Sequence, residues 1–420
     1  MNLSGKQLSA LALFVFAAVL TCQAQDDDQV PISYLSNASH KSIQVAPRGH
    51  RNGQGHTNGI PNIDALVNFN EHFQARGVDL NGNAQIIWYY NMVGTTPDHQ
   101  GTTTFNAPII PVTIDLRNAD GSPRFVNGQP LVFSPDQYIQ PTLNSPIFQN
   151  FNYSSSTTPT QYTDAVQRAE FFNSTHPDWH TMLSPSVKTE RTMTFLKGTY
   201  QFALNADGSC CAFVLIDATT FENELFPSTY PFDNSTPVGA AENSGDITTQ
   251  DIATFLFPNT YLYIGTPSNC CILGFHTYDF EPGTAANGNL ERRYVVNYSS
   301  WISPGIFRGG FADITAISHE LSESFNDPFV ASDNIHNITP WWLSPNGNCQ
   351  DNLEVGDVIE NLPNSVYPIT MNGFTYHPQN VALLQWFAFE SPSSAIDGAY
   401  TYPDITTLTA LSPTEGVNCQ

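Results

Sequence analysis

His319 and Glu323 stand four residues apart, with Glu320 beside the first, in the stretch from Gly310 to Pro328. Apolar residues at Phe311, Ile314, Ile317, Leu321 and Phe325 recur at three- and four-residue steps, the spacing of one face of an α-helix. On such a helix His319 and Glu323 lie one above the other, and Glu320 projects about a quarter-turn away. A His and a carboxylate on one face can hold a divalent ion, and a neighbouring Glu can take a proton from water on that ion. The competing reading is a helix with charges on its wet face. An acidic cluster inside a mostly apolar helix weighs against it, because buried carboxylates need partners.

Two ligands on one helix require a third from elsewhere. The natural source is the stretch 349–360, with Asp351, Glu354, Asp357 and Glu360. Glu354 is the first choice there, and Asp357 and Asp351 stay open. A second His pair at four-residue spacing, His176 and His180 in HPDWH, is more readily a structural loop than a metal site. His50 and His56, in a Gly- and Asn-rich segment, read as solvated. No GxSxG and no Gly-rich loop after a strand occur, which disfavours a serine hydrolase and a nucleotide cofactor.

The elements that must position these residues follow from periodicity. Runs at 84–94, 102–121, 211–216, 261–265, 271–280 and 292–302 read as strands, the second broken into edges or short pieces by its prolines. Helices are expected at 161–172, around Phe221 to Phe226, at Ile247 to Leu256 and at 310–328; residues 374–390 read as a turn and a buried strand. Strands leading into the 310–328 helix imply an α+β fold, a mixed or antiparallel sheet with that helix packed on it. Residues 61–420 show no dividing linker and read as one large domain, with the metal-site half around 245–390.

Residues 1–24 carry a lysine and then a short apolar run, the pattern of a signal peptide, and 25–60 read as a disordered arm. The expected setting is therefore extracellular, with no membrane association after cleavage. A net charge of −24 over 420 residues argues against nucleic acid and anionic membranes as partners. Sequons at Asn37, Asn152, Asn173, Asn234, Asn297 and Asn337 would matter in a glycosylating host. In an oxidising compartment Cys210, Cys211, Cys270, Cys271, Cys349 and Cys419 can form three disulfides. The simplest pairing cross-links the two Cys-Cys pairs and joins Cys349 to Cys419, since a bridge between neighbours on a strand would be strained.

HELSESFND resembles the active-helix motif of thermolysin-type (gluzincin) metallopeptidases. HELSESFNDP, LEVGD and VALLQWFAF together are also similar to secreted bacterial HELxE-motif proteins and, more distantly, to EXORDIUM-like phosphate-induced proteins. The peptidase resemblance implies a zincin-like fold and a secreted zinc peptidase acting on peptide or protein substrates. By position it implies His319, Glu323 and Glu354 as zinc ligands, Glu320 as the general base on the ion-bound water, and Asp327 as the partner that orients His319. Asp357 would brace a neighbouring group, and Tyr376 or His377 would stabilise the oxyanion. Glu323 departs from the peptidase pattern, which has His there. The extra negative charge weakens the ion as a Lewis acid and makes Ca²⁺ or Mn²⁺ easier to accommodate. A non-catalytic extracellular binding or structural protein, with a structural ion or none, is thus the alternative.

Overall fold

A computed structural model describes residues 28–38, 66–78, 84–230, 233–285, 288–289, 291–330, 342–347, 349–350 and 353–411. The fold is α+β, built on a mixed sheet. Its strands run in the order Gly274–Glu281, Arg292–Trp301, Ile252–Pro258, Thr102–Arg117. Beyond the last, His180–Val187 and then Arg191–Leu196 pair with it in parallel, and Val132–Phe133 pairs antiparallel. The inner pairs are parallel, and the edge strand Gly274–Glu281, like the short Val132–Phe133 at the other end, turns antiparallel to its neighbour. A smaller four-stranded sheet contains Cys270–Ile272, Thr260–Tyr263, Phe213–Asp217 and Tyr200–Ala203.

Both faces of the main sheet are covered. Ile252, Leu256 and Val295 face one apolar cluster with the helices Thr315–Asn326 and Tyr162–Glu170. Their sequence neighbours Ala253, Phe255, Phe257 and Val296 face another, with the helices Ala218–Leu225 and Pro237–Ser244. Two-sided burial erases the apolar/polar alternation of a half-exposed strand. This explains one correction: Ile247 to Leu256, expected as a helix, runs instead into the fully buried strand Ile252–Pro258. A short continuous apolar run does not distinguish strand from buried helix by periodicity.

The prolines also misled. Thr102–Arg117 is a sixteen-residue strand with neighbours on both sides, not an edge. Pro108 pairs only with Ser186 and Pro111 only with Leu256, so each sits where a single flank is occupied. A missing N–H is tolerated there. Near the C-terminus the expected buried strand shortens to Val381–Ala382, followed by the helix Leu384–Phe387.

Within the segment read as a disordered arm, Asp28 to Ala38 packs on the body. Gln29 bridges to Phe202, Asp28 pairs with Arg124 at 3.0 Å, and Leu35 is fully buried. Residues 1–27 and 39–65 lie outside the described residues. No described helix is long and apolar enough to cross a membrane.

The cysteine pairing differs from the expectation. Cys210 bonds Cys211 and Cys270 bonds Cys271. The peptide bond within each pair is cis, bringing the Cα atoms to 3.0 and 3.1 Å, so the adjacent sulfurs meet where a trans strand would point them apart. Cys419 lies outside the described residues. Among the sequons, Asn297 is fully buried and donates to Ala253 O, which removes it as a glycan site.

Glu170 closes the helix Tyr162–Glu170 and is 1 % exposed. Its Oε1 accepts the Leu384 N–H at 3.1 Å, whereas Oε2 has no hydrogen-bond partner among the described residues. Burial pushes its pKa up to about 8. The folded protein therefore keeps a proton that the unfolded chain releases near its ordinary pKa of about 4.5, and stability falls as pH rises between those values. Glu170→Gln should leave urea midpoints near pH 5 unchanged and stabilise the protein by about 2–4 kcal/mol above pH 8.

Candidate metal centre

All twelve residues of the helix Thr315–Asn326 are buried. Ile317, Leu321 and Phe325 enter the apolar cluster on one face of the sheet. Ser324 Oγ donates to Asn297 Oδ1 at 2.7 Å and Asn297 in turn bonds the Ile252–Pro258 strand, which fixes the helix's rotation over the sheet. The polar side of the helix then faces two other pieces of chain, the start of the edge strand at Gly274 to His276 and the turn 353–360.

Around this cavity stand His276, His319, Glu320, Glu323, Glu354, Asp357, Glu360 and Gln379, with no lysine or arginine among the described lining residues. His319 Nε2 lies 3.0 Å from Glu323 Oε1 and 3.3 Å from Asp357 Oδ1. His276 Nδ1 lies 3.3 Å from Glu323 Oε2, 3.8 Å from Glu354 Oε2 and 3.9 Å from Glu320 Oε2. Three sets of side chains can each converge on an ion, with ligand atoms mutually within 4.8 Å: His276, Glu323 and Glu354; His319, Glu320 and Glu323; His319, Asp357 and Glu360.

The backbone shapes the cavity as much as the side chains do. A Cβ on Gly274 would come within 2.4 Å of the Glu320 carboxylate, and one on Gly356 within 2.7 Å of the His319 ring. Neither glycine has a positive φ, so close approach alone requires them. The Gly356 N–H donates to Glu323 Oε1 at 3.0 Å, and the Asp357 N–H to the same oxygen at 3.4 Å. Gln379 Oε1 stands 3.1 Å from His319 Nδ1, while its Nε2 donates to Gly356 O at 2.8 Å.

The electrostatics follow from burial against charge. Burial opposes ionisation of Glu323, but His319 and His276 overcome it and hold its pKa below the ordinary value. Burial also opposes protonation of His319, yet the charges of Glu323 and Glu320 push its pKa well up. For Glu320 burial dominates and raises the pKa well above the carboxylate range. Glu360 is pushed up to about 8, by burial first and by Asp357 second. With no cation in place, this cavity holds more carboxylate than its two histidines neutralise. Glu360 Oε2 and His276 Nε2, both buried, lack hydrogen-bond partners among the described residues. These are the marks of a cation site, and the donor set of imidazole and carboxylate fits a divalent metal.

Of the residues expected from sequence, His319, Glu320, Glu323, Glu354 and Asp357 come together here; Asp351 lies outside the described residues. Asp327 does not orient His319. It caps the helix eight residues on, about 12 Å along the axis, and Gln379 occupies that role. Tyr376 donates to Pro141 O, and His377 Nδ1 meets Asp313 Oδ2 at 2.7 Å; neither lines the cavity. His176 and His180 do not form a pair, since the first engages Asp178 and the second Asp164. His180 opens a strand, so the helical spacing that would align the two does not exist.

His276 and Gln379 had no place in the sequence reading. Alternation along Gly274–Glu281 could have found the first, because His276 shares a face with Tyr278 and Phe280, which pack in the site helix's own apolar cluster. For Gln379, in an irregular segment, no such signal exists. No family model, curated protein or solved structure matches this chain.

Proposed function

We propose that the chain is a metal-dependent hydrolase of peptide or protein substrates with a zincin-like arrangement of helix and edge strand, as its resemblance to gluzincin and secreted HELxE-motif proteins implies. The observation that carries this reading is Glu320. It shares the cavity with complete ligand sets that do not need it, His276, Glu323 and Glu354 or His319, Asp357 and Glu360. Its carboxylate is seated against Gly274, where a side chain would leave it no room.

In this reading His276, Glu323 and Glu354 hold the ion, and His319, the ligand expected from sequence, stands on the other side of Glu323. The imidazole favours Zn²⁺ over Ca²⁺, and the carboxylates admit Mn²⁺. A divalent ion bound there supplies Lewis acidity toward a carbonyl oxygen and lowers the pKa of water. The charge of an ion beside it would offset the burial that resists ionisation of Glu320, which then receives the proton from the attacking water at a carboxylate oxygen and returns it to the leaving nitrogen. Gln379 holds the His319 ring through Nδ1, and the Gly356 N–H keeps Glu323 oriented. The leader-like N-terminus and the two disulfides support an exported protein.

A specific observation favours the alternative of a purely structural ion: every ionisable group of the cavity is at most 6 % exposed. Glu320→Gln separates the two. On the catalytic reading it lowers metal-dependent cleavage of a peptide library by about 10²–10⁴-fold while bound metal and Tm stay at wild-type values. A wild-type protein that retains metal but cleaves nothing in that library would leave the structural role as the function of the site.

A further inference from the structure

The cavity is richer in ligands than one ion can use. Five carboxylates, Glu320, Glu323, Glu354, Asp357 and Glu360, are each 2–5 % exposed, beside two histidines. A zinc-like ion takes about four ligands, fewer than these seven side chains offer.

The geometry divides the ligands accordingly. His276 and Glu354 belong to one set, and His319, Asp357 and Glu360 to another that shares no residue with it. Glu323 stands between them. Its Oε2 is 3.3 Å from His276 Nδ1 and its Oε1 3.0 Å from His319 Nε2, so one oxygen faces each set. The backbone N–H groups of Gly356 and Asp357 hold Oε1 on the His319 side. Glu360 Oε2, buried and without a hydrogen-bond partner among the described residues, offers the second set a further acceptor.

We propose that this is a dinuclear centre, in which Glu323 bridges one divalent transition ion held by His276 and Glu354 and a second held by His319, Asp357 and Glu360. The inference rests on the metal-site reading above and adds the second ion. Paired ions about 3.5–4 Å apart clamp both the attacking and the leaving atoms of a displacement. Glu323 in place of a histidine then has a reason, because a carboxylate can span two ions whereas a neutral imidazole serves one.

The test uses the full chain saturated with Mn²⁺, freed of loosely held metal by gel filtration, and read by elemental analysis and electron paramagnetic resonance. The expected result is two ions per chain with the spectrum of an exchange-coupled pair. His276→Gln and Glu360→Gln should each leave one ion and an uncoupled spectrum; Asp357→Asn, in the same set as Glu360, replaces any variant of that set that does not fold. One ion in the wild type, two without coupling, or variants that keep the wild-type count overturn the dinuclear assignment and leave a mononuclear site standing. Absence of bound metal overturns that site as well.

Discussion

Glu323→Ala is expected to unfold more readily than any other single substitution at the centre, by about 3–5 kcal/mol, and to lose bound metal. Glu323 accepts two backbone N–H groups from the 356–357 turn and faces both histidines. Its removal leaves those N–H groups buried without an acceptor, and it deprives two imidazoles of their shared carboxylate. Part of the loss is direct. The rest appears through mass action, because an ion that binds only the folded state no longer adds its binding energy. Urea unfolding with and without added metal separates the two shares: wild type should respond to metal, and the variant should not. A variant that is as stable as wild type and still metal-loaded would remove Glu323 from the centre.

Stripping the ion from the wild-type chain with a chelator should lower stability by about 4 kcal/mol at free metal a thousandfold above Kd. The loss should depend on pH in a definite direction. At pH 8 the ion-free cavity confines carboxylates that resist ionisation, Glu360 with its pKa near 8 and Glu320 raised likewise by burial. Both folded values lie above the unfolded one, so the ion-free protein gains stability as pH falls from 8 toward 5. Over the same range protons compete with metal for the ligands and the loaded protein loses its advantage. Melting curves with and without chelator should therefore lie far apart at pH 8 and converge near pH 5. Curves that diverge on acidification would mean that the ion does not sit among these carboxylates.

The helix of the candidate site was legible because two periodicities coincide there. The apolar 3.6-residue repeat from Ile314 to Phe325 predicted the burial, and HExxE placed the candidate ligands on the opposite stripe. Glu354 and Asp357 were legible for a cruder reason, as acidic residues dense enough to suggest a ligand source. What escaped was long-range. His276 comes from a strand read correctly as a strand, but the order of strands in the sheet, which alone brings the edge strand under the helix, is not encoded in local pattern. The Ile252–Pro258 strand and the unbroken Thr102–Arg117 strand failed for a related cause: burial on both faces and one-sided pairing at prolines are tertiary facts that override local preference. The bonds between neighbouring cysteines were dismissed on trans geometry, which those two peptide bonds do not have.

The two close-packed glycines turn the centre into something a sequence search could use. Gly274 and Gly356 admit no side chain without displacing Glu320 or His319, so a chain that preserves this cavity must spell it in three short words. The first is Gly-x-His, as in Gly274 to His276; the second His-Glu-x-x-Glu, as in His319 to Glu323; the third Glu-x-Gly-Asp-x-x-Glu, as in Glu354 to Glu360. HExxE alone arises readily by chance among unrelated proteins, whereas all three words in this order do not. Distant kin too diverged for whole-chain alignment would still be recognisable by that vocabulary, and chains that share only the middle word would be set apart from them.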